Sequence, residues 1–508
     1  MSLIDFSGSY WSLVPPLLAL ALAIVTRRVI LSLSIGIIVG AFMLNDTNIL
    51  NSLTYIKDSV ISLVYSSDDG FSTNNINIVL FLVLLGVLTE LLRISGSNQA
   101  FANWAKTRIK GRRGAKLMAA SLVFFTFIDD YFHSLAVGAI ARPVTDKFQV
   151  SRAKLAYILD STAAPMCVLM PVSSWGAYII TLVAGLLATH SITQYSPFEA
   201  FMTMSAMNFY AIFSIIMVFV VSYFSFDIGS MVRFEREAMS KEAVEEEAVD
   251  GGKVRTLLLP VATLILGTIA MMLYTGYEAL AADGKAFSVL GAFENTTVGI
   301  SLVVGGVLSL LVATACIIID QKFNTNNYMK AWVIGAQSMS GAILILCFAW
   351  TINGVVGDMQ TGKYLSTFVA NGDINAAFLP AILFVLAVFM AFSTGTSWGT
   401  FGIMLPIAAS MAANSDPTLV LPCLSAVMAG AVCGDHCSPI SDTTILSSTG
   451  ARCNHIDHVT SQLPYAMLVA VATILGYLTL GFTNSMLAGF AVTTVAFVGL
   501  LFVFKKKD

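Results

Sequence analysis

Apolar segments close to the length of a membrane crossing recur along the entire chain of 508 residues. A helix that crosses the hydrocarbon core needs about 20 consecutive apolar residues. Only 11% of the residues are charged, which is less than half of the roughly 25% usual in soluble domains. These features predict an all-α polytopic membrane protein with about 11 full spans. The predicted spans are 11–26, 29–44, 76–95, 154–190, 199–226, 257–277, 297–319, 334–358, 417–449, 464–484 and 487–504.

The distribution of Lys and Arg predicts the orientation of the chain. If the N-terminus is outside, most of the 27 basic residues fall in segments on the cytoplasmic side. The largest groups lie in 106–116, 142–154, 227–256 and 505–507. Such an excess of basic residues in cytoplasmic loops is the usual asymmetry of membrane proteins. We therefore expect a multi-pass protein of the cytoplasmic membrane, with its N-terminus outside and its C-terminus inside.

Two apolar segments do not fit the pattern of a helix that crosses the membrane. Residues 117–147 have basic residues at both ends, and two short apolar arms surround the sequence DDYFH. Residues 377–413 repeat this pattern around STGTSWGT. Both segments predict re-entrant hairpins. The long spans 154–190 and 417–449 contain prolines, which interrupt helical hydrogen bonding, so both are predicted to be broken near the middle of the membrane.

These unusual segments come in pairs, which predicts an internal repeat. Ser134–Pro143 matches Ser397–Pro406, and Met170–Ser174 matches Ser438–Asp442. The charge topology gives the two halves opposite orientations. Inverted repeats with discontinuous helices are typical of secondary transporters, whose substrate binds where the breaks meet. The predicted parts are a first inverted repeat over 11–226, a cytoplasmic linker over 227–256, a second inverted repeat over 257–486, and an extra C-terminal span with a basic tail over 487–508.

The second break holds the strongest candidates for ion binding. Asp442 follows Pro439, and Asp435 lies about one turn before it. The neighbouring hydroxyl residues are Ser438, Ser441 and Thr443. Carboxylates, hydroxyls and the carbonyls freed by a helix break can coordinate Na+, and a buried carboxylate without a cation takes up a proton instead. One site that holds either ion in turn would support exchange; the structural alternative is that these aspartates cap half-helices.

Other polar residues are predicted to complete the site or to line the pathway. Asp129 and Asp130 share the tip of the first hairpin, where two adjacent carboxylates do not both stay charged without a nearby cation. His133 follows closely enough to pair with either one. The pathway candidates are Asp160, His133, Ser173, Ser174, Ser393, Thr394, Thr396, Ser397 and His436. The structural alternatives are a helix cap for Asp129 or Asp130, a hydrogen bond between Asp160 and the hairpin backbone, and a satisfied buried histidine at His436.

Some polar residues have a mainly structural interpretation. Glu90 and Arg93 are three residues apart on one helical face and are predicted to form an internal pair. The amphipathic segments 51–66 and 322–333 fit interfacial helices or short loop helices. The CGDHC sequence at 433–437 could supply three metal ligands, but no second ligand cluster is evident. We therefore expect no bound metal other than Na+.

The sequence GDHCSPISDTTILSS, residues 434–448, resembles the signature of the NhaC-type Na+/H+ antiporter family. FIDDYFHSLAVG, followed by RPVTDKFQVSRAKLAYILDSTAAP, is similar to the first-half motif of that family. The family belongs to the ion transporter superfamily, whose fold has two inverted repeats, each with a re-entrant hairpin and a broken helix. Some members exchange organic anions such as malate and lactate. The resemblance implies functional roles for Asp435, Ser438, Asp442 and Thr443 in the break, and for the first-half acids Asp129, Asp130 and Asp160.

The sequence leaves two functions open. The first is a secondary antiporter that exchanges Na+, with Li+ as a further candidate, for H+ by alternating access. The second is a Na+- or H+-coupled transporter of an amino acid or a carboxylate, favoured by Trp175 and Trp398 beside the hydroxyl-rich stretches and disfavoured by hairpin tips without arginine. No convincing nucleophile–base pair suggests an enzyme. Beyond the transported ions and the lipid bilayer, we expect no cofactor and no nucleic-acid partner, and a homodimer stays open.

Overall fold

The protein is largely helical in a computed structural model of the chain. The structure describes residues 3–26, 28–66, 70–127, 130–171, 173–240, 252–320, 324–361, 363–364 and 375–504. Asp129, much of the linker and the basic residues 505–507 therefore lie outside the described residues. The all-α prediction has a small exception: Tyr65 pairs with Phe71 and Ser66 with Gly70 in an antiparallel ladder of two short strands.

The first half of the described chain forms helices of very different lengths. The elements in chain order are α1 (Val14–Thr26), α2 (Val29–Leu44), α3 (Ile49–Ser62), β1 (Tyr65–Ser66), β2 (Gly70–Phe71), α4 (Thr73–Ile94), α5 (Ser97–Arg108), α6 (Gly111–Ser121), α7 (Val123–Thr126), α8 (Asp130–Lys147), α9 (Arg152–Leu169), α10 (Ser174–Thr189), α11 (Pro197–Ala206), α12 (Phe209–Phe224) and α13 (Met231–Ser240).

The second half contains longer helices and two further interruptions. Its elements are α14 (Arg255–Ala282), α15 (Val289–Glu294), α16 (Val298–Ile319), α17 (Thr325–Asp358), α18 (Leu379–Thr394), α19 (Ser397–Ser415), α20 (Val420–Cys437), α21 (Asp442–Gly450), α22 (His455–Thr483) and α23 (Met486–Phe504). Short 3-10 turns precede α1, α18 and α20.

Fewer helices than predicted are long enough to cross a membrane. By length and composition, 8 helices of the described chain qualify, or up to 9 if the α11–α12 pair, bent by 50°, is one span. Helix α1 has only 13 residues and α2 has 16, and α9 and α10 are the separate parts of one predicted span. The number of qualifying helices is therefore lower than the predicted number of spans, because several apolar runs form short or interrupted helices.

Two other predictions in the second half need correction. Helix α17 runs without interruption from Thr325 to Asp358, so its first turns are not a separate amphipathic helix as predicted for 322–333. The first arm of the second predicted hairpin, Ala376–Thr394, has 19 residues and is long enough for a crossing by itself. The first arm of the first hairpin matches the expectation better, since it consists of α6 with 11 residues and α7 with 4.

Both predicted breaks are present as extended backbone between helices. Helix α9 ends before Met170, whose φ and ψ are -97° and 122°, and α10 begins after Ser173. Helix α20 ends before Ser438, with φ and ψ of -80° and 130°, and α21 begins after Ser441. Proline follows Met170 and Ser438, and a residue before proline is driven out of the helical region. The sequence therefore explains where both helices stop.

The helices pack as two groups. One group contains α1, α2, α4, α14, α16 and α17, and the other contains the hairpin arms, the broken helices, α12 and α22. Contacts between the two halves of the chain are reciprocal, since α8 packs against α21 and α19 packs against α10. The second arm of each hairpin thus lies against the later part of the other half's broken helix.

Glycines allow the closest approaches between hairpins and breaks. Gly395 ends α18 with φ of +66°, and a Cβ atom there would lie 2.7 Å from the carbonyl oxygen of Ile440. A Cβ atom on Gly138 would lie 2.7 Å from the backbone of Gly450. Larger residues would push both hairpins away from the second broken helix. The absence of a side chain at Gly395 and Gly138 therefore allows direct contact between backbones.

The predicted linker begins as packed structure. Glu235 of α13 accepts hydrogen bonds from Arg112 Nη2 at 2.7 Å and from the backbone N–H of Ser151 at 2.8 Å. Asp227 pairs with the fully buried ammonium group of Lys154. These contacts fasten residues 227–240 to the beginning of α9 and to α6. Elsewhere, the predicted Glu90–Arg93 pair is confirmed, with contacts of 2.5 and 2.8 Å.

Candidate cation site

Two carboxylates flank the break between α20 and α21. Asp435 lies in the last turn of α20, and Asp442 is the first residue of α21. The N–H of Ser438 bonds the carbonyl oxygen of Asp435 at 2.9 Å, after which Pro439 cannot donate to the preceding turn. The break therefore brings both acids to the junction of two helix ends, where backbone groups lack their helical partners.

Hydroxyl groups surround the carboxylate of Asp435. Ser397 Oγ donates to Asp435 Oδ2 at 2.6 Å, and the N–H of Ser397 donates to the same oxygen at 3.1 Å. Ser441 Oγ donates to Asp435 Oδ1 at 2.5 Å and lies 2.8 Å from Thr443 Oγ1. All four of these side chains are buried. Asp435 thus connects the tip of the second hairpin to both sides of the break.

Asp442 is partly exposed and has different partners. The hydroxyl of Tyr131, in the first hairpin, donates to Asp442 Oδ2. The N–H of Thr443 donates to Asp442 Oδ1 at 2.9 Å. Ser438 donates its hydroxyl to the carbonyl oxygen of Phe392 at 2.7 Å, which holds the second hairpin against the break. Both hairpins therefore reach the same break, one through each aspartate.

The electrostatics of this cluster leave negative charge uncompensated. In the described part of the chain, no Lys, Arg or His is recorded within ion-pair distance of Asp435 or Asp442. The two carboxylates also repel each other electrostatically. A bound cation or a proton would stabilise the buried carboxylate of Asp435 and its partly exposed neighbour Asp442. The oxygen-rich arrangement is chemically suited to a small hard cation such as Na+.

The first hairpin contributes fewer direct contacts than predicted. Asp130 accepts a hydrogen bond from Trp175 Nε1 at 3.0 Å and is buried. Both ring nitrogens of His133 contact threonine hydroxyls, Thr126 at 2.6 Å and Thr162 at 2.9 Å. The expected pairing of His133 with Asp130 is therefore replaced by two neutral contacts, and Asp129 lies outside the described residues.

Asp160 belongs to a second cluster, which we call the imidazole cluster: Asp160, His458, Gln462 and Ser447. His458 Nε2 lies 3.0 Å and Gln462 Nε2 lies 2.7 Å from Asp160 Oδ2. Ser447 Oγ contacts Asp160 Oδ1 at 3.3 Å. The predicted pathway residue His436 adjoins this cluster, because Gln462 donates to its backbone carbonyl. Its ring is buried and lies 2.5 Å from the hydroxyl of Tyr210.

The remaining predicted residues mostly support the helix ends. Ser173 caps α10, because its hydroxyl accepts from the N–H of Gly176 at 2.8 Å and donates to the carbonyl of Cys167 at 2.7 Å. Thr394 bonds the carbonyl of Met390 at 2.9 Å. Ser393 is buried at the end of α18, and Thr396 precedes α19 as its N-cap residue. The side chain of Ser174 is not described.

Several contact residues were missed by sequence reasoning. Tyr131 lies beside the predicted acids but was not considered as a hydrogen-bond donor. His458 and Gln462 fall between the predicted spans 417–449 and 464–484, whereas α22 in fact begins at His455. His455, His458 and Gln462 recur at helical spacing. Extending the predicted helix through this polar stretch would have placed them on one face.

A cleft of about 380 Å³ lies between α17 and α21. It is lined by Ser338, Met339, Ile445, Ser448, Thr449, Arg452, Cys453 and His455. Ile445 and Thr449 follow Asp442 by three and seven residues, so they share its face of α21. The cleft therefore follows that face toward Arg452, an arginine that the sequence analysis had not connected with the site.

Comparisons with known proteins show that this chain is similar to membrane transporters. A model of the Na+/H+ antiporter family matches residues 166–482. A Haemophilus influenzae protein of unknown function is 69% identical over 509 residues, covering 100% of this chain and 98% of that protein. A malate-2H+/Na+-lactate antiporter of Bacillus subtilis is 29% identical over 164 residues, 32% of this chain and 34% of that protein. An uncharacterised Na+/H+ antiporter of H. influenzae is 31% identical over 141 residues, 25% of this chain and 30% of that protein.

A solved structure also shows a weak similarity. The Alcanivorax borkumensis YdaH transporter aligns with a TM-score of 0.34 and 15% identity, over 90% of this chain and 87% of the other. The family match covers both the candidate break and most of the second half of the chain. It confirms the resemblance seen in the break motif, and the family consists of transporters rather than enzymes. With its apolar helices, the chain is a multi-pass membrane protein that belongs to the Na+/H+ antiporter family.

Proposed function

We propose that the protein is a secondary antiporter that exchanges Na+ or Li+ for H+ across the cytoplasmic membrane. The observation that carries this proposal is the arrangement of Asp435 and Asp442 on either side of a helix break, with hydroxyl partners and without a recorded basic partner among the described residues. Such a site is stabilised by a cation from solution or by protonation.

Exchange of Na+ for H+ follows if the cation-bound state and the protonated state of the site exclude each other. Cation binding favours the charged carboxylates, and protonation removes the charge that holds the cation. Asp435 and Asp442, with Ser438, Ser441 and Thr443, form the proposed cation site. Asp130, together with Asp129 in the same tip, is proposed to complete the site or to relay the proton. Protonation and cation binding at one place then couple the two opposite fluxes.

Alternating access requires that the site open to each side in turn. We propose two inverted repeats over 11–226 and 257–486, with about 11 full or broken spans, the N-terminus outside and the C-terminus inside. The reciprocal contacts of α8 with α21 and of α19 with α10 support this symmetry. The hairpins and broken helices would move together, and the cleft toward Arg452 would be the cytoplasmic approach to Asp442.

The proposal is tested with full-length protein reconstituted in liposomes that contain a pH indicator. A Na+ or Li+ gradient alone should drive proton movement, and Asp442→Asn should abolish it. Asp283→Asn, at an exposed ion pair with Lys285, is the matched control and should behave as wild type. Normal flux in Asp442→Asn would refute the site, and absence of cation-driven flux in the wild-type protein would refute Na+/H+ exchange.

A second candidate function is the coupled transport of a small organic carboxylate. The cleft beside α21 has a volume in the range of small-molecule sites, and Arg452 could attract a carboxylate there. The similar stretch of a malate and lactate antiporter is consistent with this candidate. Trp175 is instead buried against Trp398, with ring centroids 5.8 Å apart, and its N–H is bonded to Asp130. The same liposomes distinguish the candidates, because this one requires lactate or malate in addition to the cation.

A further inference from the structure

The imidazole cluster contains an ionisable pair that the proposed exchange site does not use. The side chains of Asp160 and His458 have an exposed fraction of 0%, and His458 Nε2 lies 3.0 Å from Asp160 Oδ2. Gln462 donates to the same oxygen at 2.7 Å, and Ser447 donates to Oδ1 at 3.3 Å. Three donors converging on one carboxylate favour its charged form. Asp160 is therefore built to remain an anion inside the protein.

A buried anion needs compensation by a positive charge. Within the described ranges, His458 is the basic side chain recorded within ion-pair distance of Asp160. Imidazole gains and loses its proton near neutral pH. When His458 is protonated the pair is neutral, and when the proton leaves, one negative charge remains. The pair can thus store a proton without moving either helix.

The geometry identifies the atom that would carry this proton. Nε2 of His458 faces Asp160, whereas Nδ1 is buried without a hydrogen-bond partner among the described atoms. Loss of the proton breaks the N–H bond at Nδ1 and leaves its electron pair on the ring, while Nε2 keeps its proton and its bond to Asp160. The exchange of a proton at Nδ1 therefore preserves the main contact of the pair.

This pair is connected to the cation site through α20. Gln462 bonds both Asp160 Oδ2 and the backbone carbonyl of His436, the residue after Asp435. Ser447 of α21 contacts Asp160 and also lies 3.0 Å from Ser134 of the first hairpin. The elements that form the cation site therefore also position Asp160.

Other titratable groups face His458 from the surrounding helices. Asp160 belongs to α9, His436 to α20 and His455 to the same helix as His458. Tyr210 of α12 bonds His436 at 2.5 Å. Lys154, which pairs with Asp227, lies near the beginning of α9, and its Nζ is 5.6 Å from the ring centroid of Tyr465. Among them, Asp160 is the group in ion-pair contact with His458.

We propose that Asp160 and His458 form a second proton-binding site, separate from the cation site, which releases its proton when the cation binds. The proposal rests on the proposed exchange at Asp435 and Asp442. A cation bound there adds positive charge to the buried region, and loss of the His458 proton offsets it. A bound cation weakens the protonation of His458 by some factor. By thermodynamic linkage, protonation of His458 weakens cation binding by that same factor. His458 is thus a positioning and proton-binding residue rather than a cation ligand.

The test counts the protons released for each Na+ bound by the purified full-length protein. Radioactive Na+ measures binding, and an indicator dye in weakly buffered solution near about pH 6.5 measures protons. His458→Gln keeps a donor near Asp160 but cannot be protonated, so it should release about one proton fewer per Na+ than wild type. His190→Gln, at the end of α10 and away from the cluster, should release as many as wild type.

Equal proton release from His458→Gln and wild type would overturn the second site while leaving exchange intact. Wild-type protein that binds Na+ without releasing any proton would instead contradict the proposed function. If His458→Gln does not fold, infrared difference spectra of wild-type protein with and without ring-labelled histidine replace the variant. Addition of Na+ should convert an imidazolium band to an imidazole band, and the absence of any histidine band would overturn the proposal.

Discussion

The cation site and the imidazole cluster each contain a fully buried aspartate, but the two aspartates have different kinds of partners. Asp435 is bonded by the hydroxyls of Ser397 and Ser441 and by a backbone N–H. Asp160 is bonded by the side chains of His458 and Gln462. Hydroxyls can solvate an anion but cannot neutralise it. The first site therefore depends on a cation or proton from outside, whereas the second contains its own compensating group.

Their positions in the chain explain this difference. Asp435 lies in the last turn before a break, where oxygen atoms of the backbone lack helical partners. Asp160 lies in the interior of the continuous helix α9, so its backbone is already satisfied and neighbouring helices supply side-chain partners. A break thus creates a site that an ion can complete, whereas the helical interior of α9 holds a site that the protein completes by itself.

The largest expected effect is the loss of transport in Asp435→Asn. Without the central carboxylate, Na+-driven proton flux should fall by at least about 100-fold, because the amide can neither carry the exchanged proton nor supply the negative charge that favours the cation. Folding stability should be unchanged or higher, because repulsion with Asp442 is removed. Liposome flux and thermal unfolding in detergent measure the two quantities. Wild-type flux in Asp435→Asn would contradict the view that the cation site, unlike the imidazole cluster, depends on a cation or proton from outside.

Asp160→Asn is expected to give the opposite pattern. The amide cannot balance a protonated His458, and one of the converging donors loses its acceptor, so unfolding free energy should decrease by about 1–3 kcal/mol. Na+ binding should persist, because Asp160 is not one of the proposed cation ligands. Thermal unfolding and radioactive Na+ binding provide the comparison with Asp435→Asn. A stable Asp160→Asn protein without Na+ binding would mean that Asp160 is itself a cation ligand.

The serines of the two breaks provide a smaller contrast. Ser441→Ala removes the hydroxyl that lies 2.5 Å from Asp435, so Na+ affinity should fall about tenfold. Ser173→Ala removes the cap of α10 and should cost about 1 kcal/mol of stability with Na+ affinity unchanged. Equilibrium Na+ binding and thermal unfolding measure both variants. Equal losses of affinity would indicate that both breaks contribute cation ligands.

The smallest effect is expected from two tyrosines that bond residues of the two clusters. Tyr131→Phe removes the hydroxyl bond to Asp442 and should weaken Na+ binding by about fivefold, or about 1 kcal/mol. Tyr210→Phe removes the bond to His436 beside the imidazole cluster and should leave Na+ affinity unchanged. A Na+ titration of both variants is sufficient. A larger loss in Tyr210→Phe would show that the two clusters bind the cation together.

The sequence identified the positions of both helix breaks well because local rules determine them. Proline after Met170 and Ser438 ends each helix, and polar residues are conspicuous within apolar segments. Contacts between distant residues could not be obtained in the same way. Ser397 and Asp435 are 38 residues apart, and Asp160 and His458 are 298 apart, so their pairing depends on how whole helices pack.

Hydropathy misplaced the start of helix α22. The polar residues between His455 and Gln462 delayed the predicted start of a span to 464, although α22 begins at His455 because tertiary contacts bury this polar face. The predicted span 29–44 coincides with α2, and the predicted span 11–26 contains α1. Apolar character therefore located both helices, although with 13 and 16 residues they are shorter than the about 20 residues of a full crossing.

Equilibrium binding of radioactive Na+ to the purified protein across a range of pH tests the central claim most directly. If Na+ and H+ compete at the break, the Kd for Na+ should increase about tenfold for each linked proton per unit decrease in pH. Asp435→Asn and Asp442→Asn should show no saturable binding. A Kd that does not depend on pH, or wild-type binding by both variants, would contradict the account.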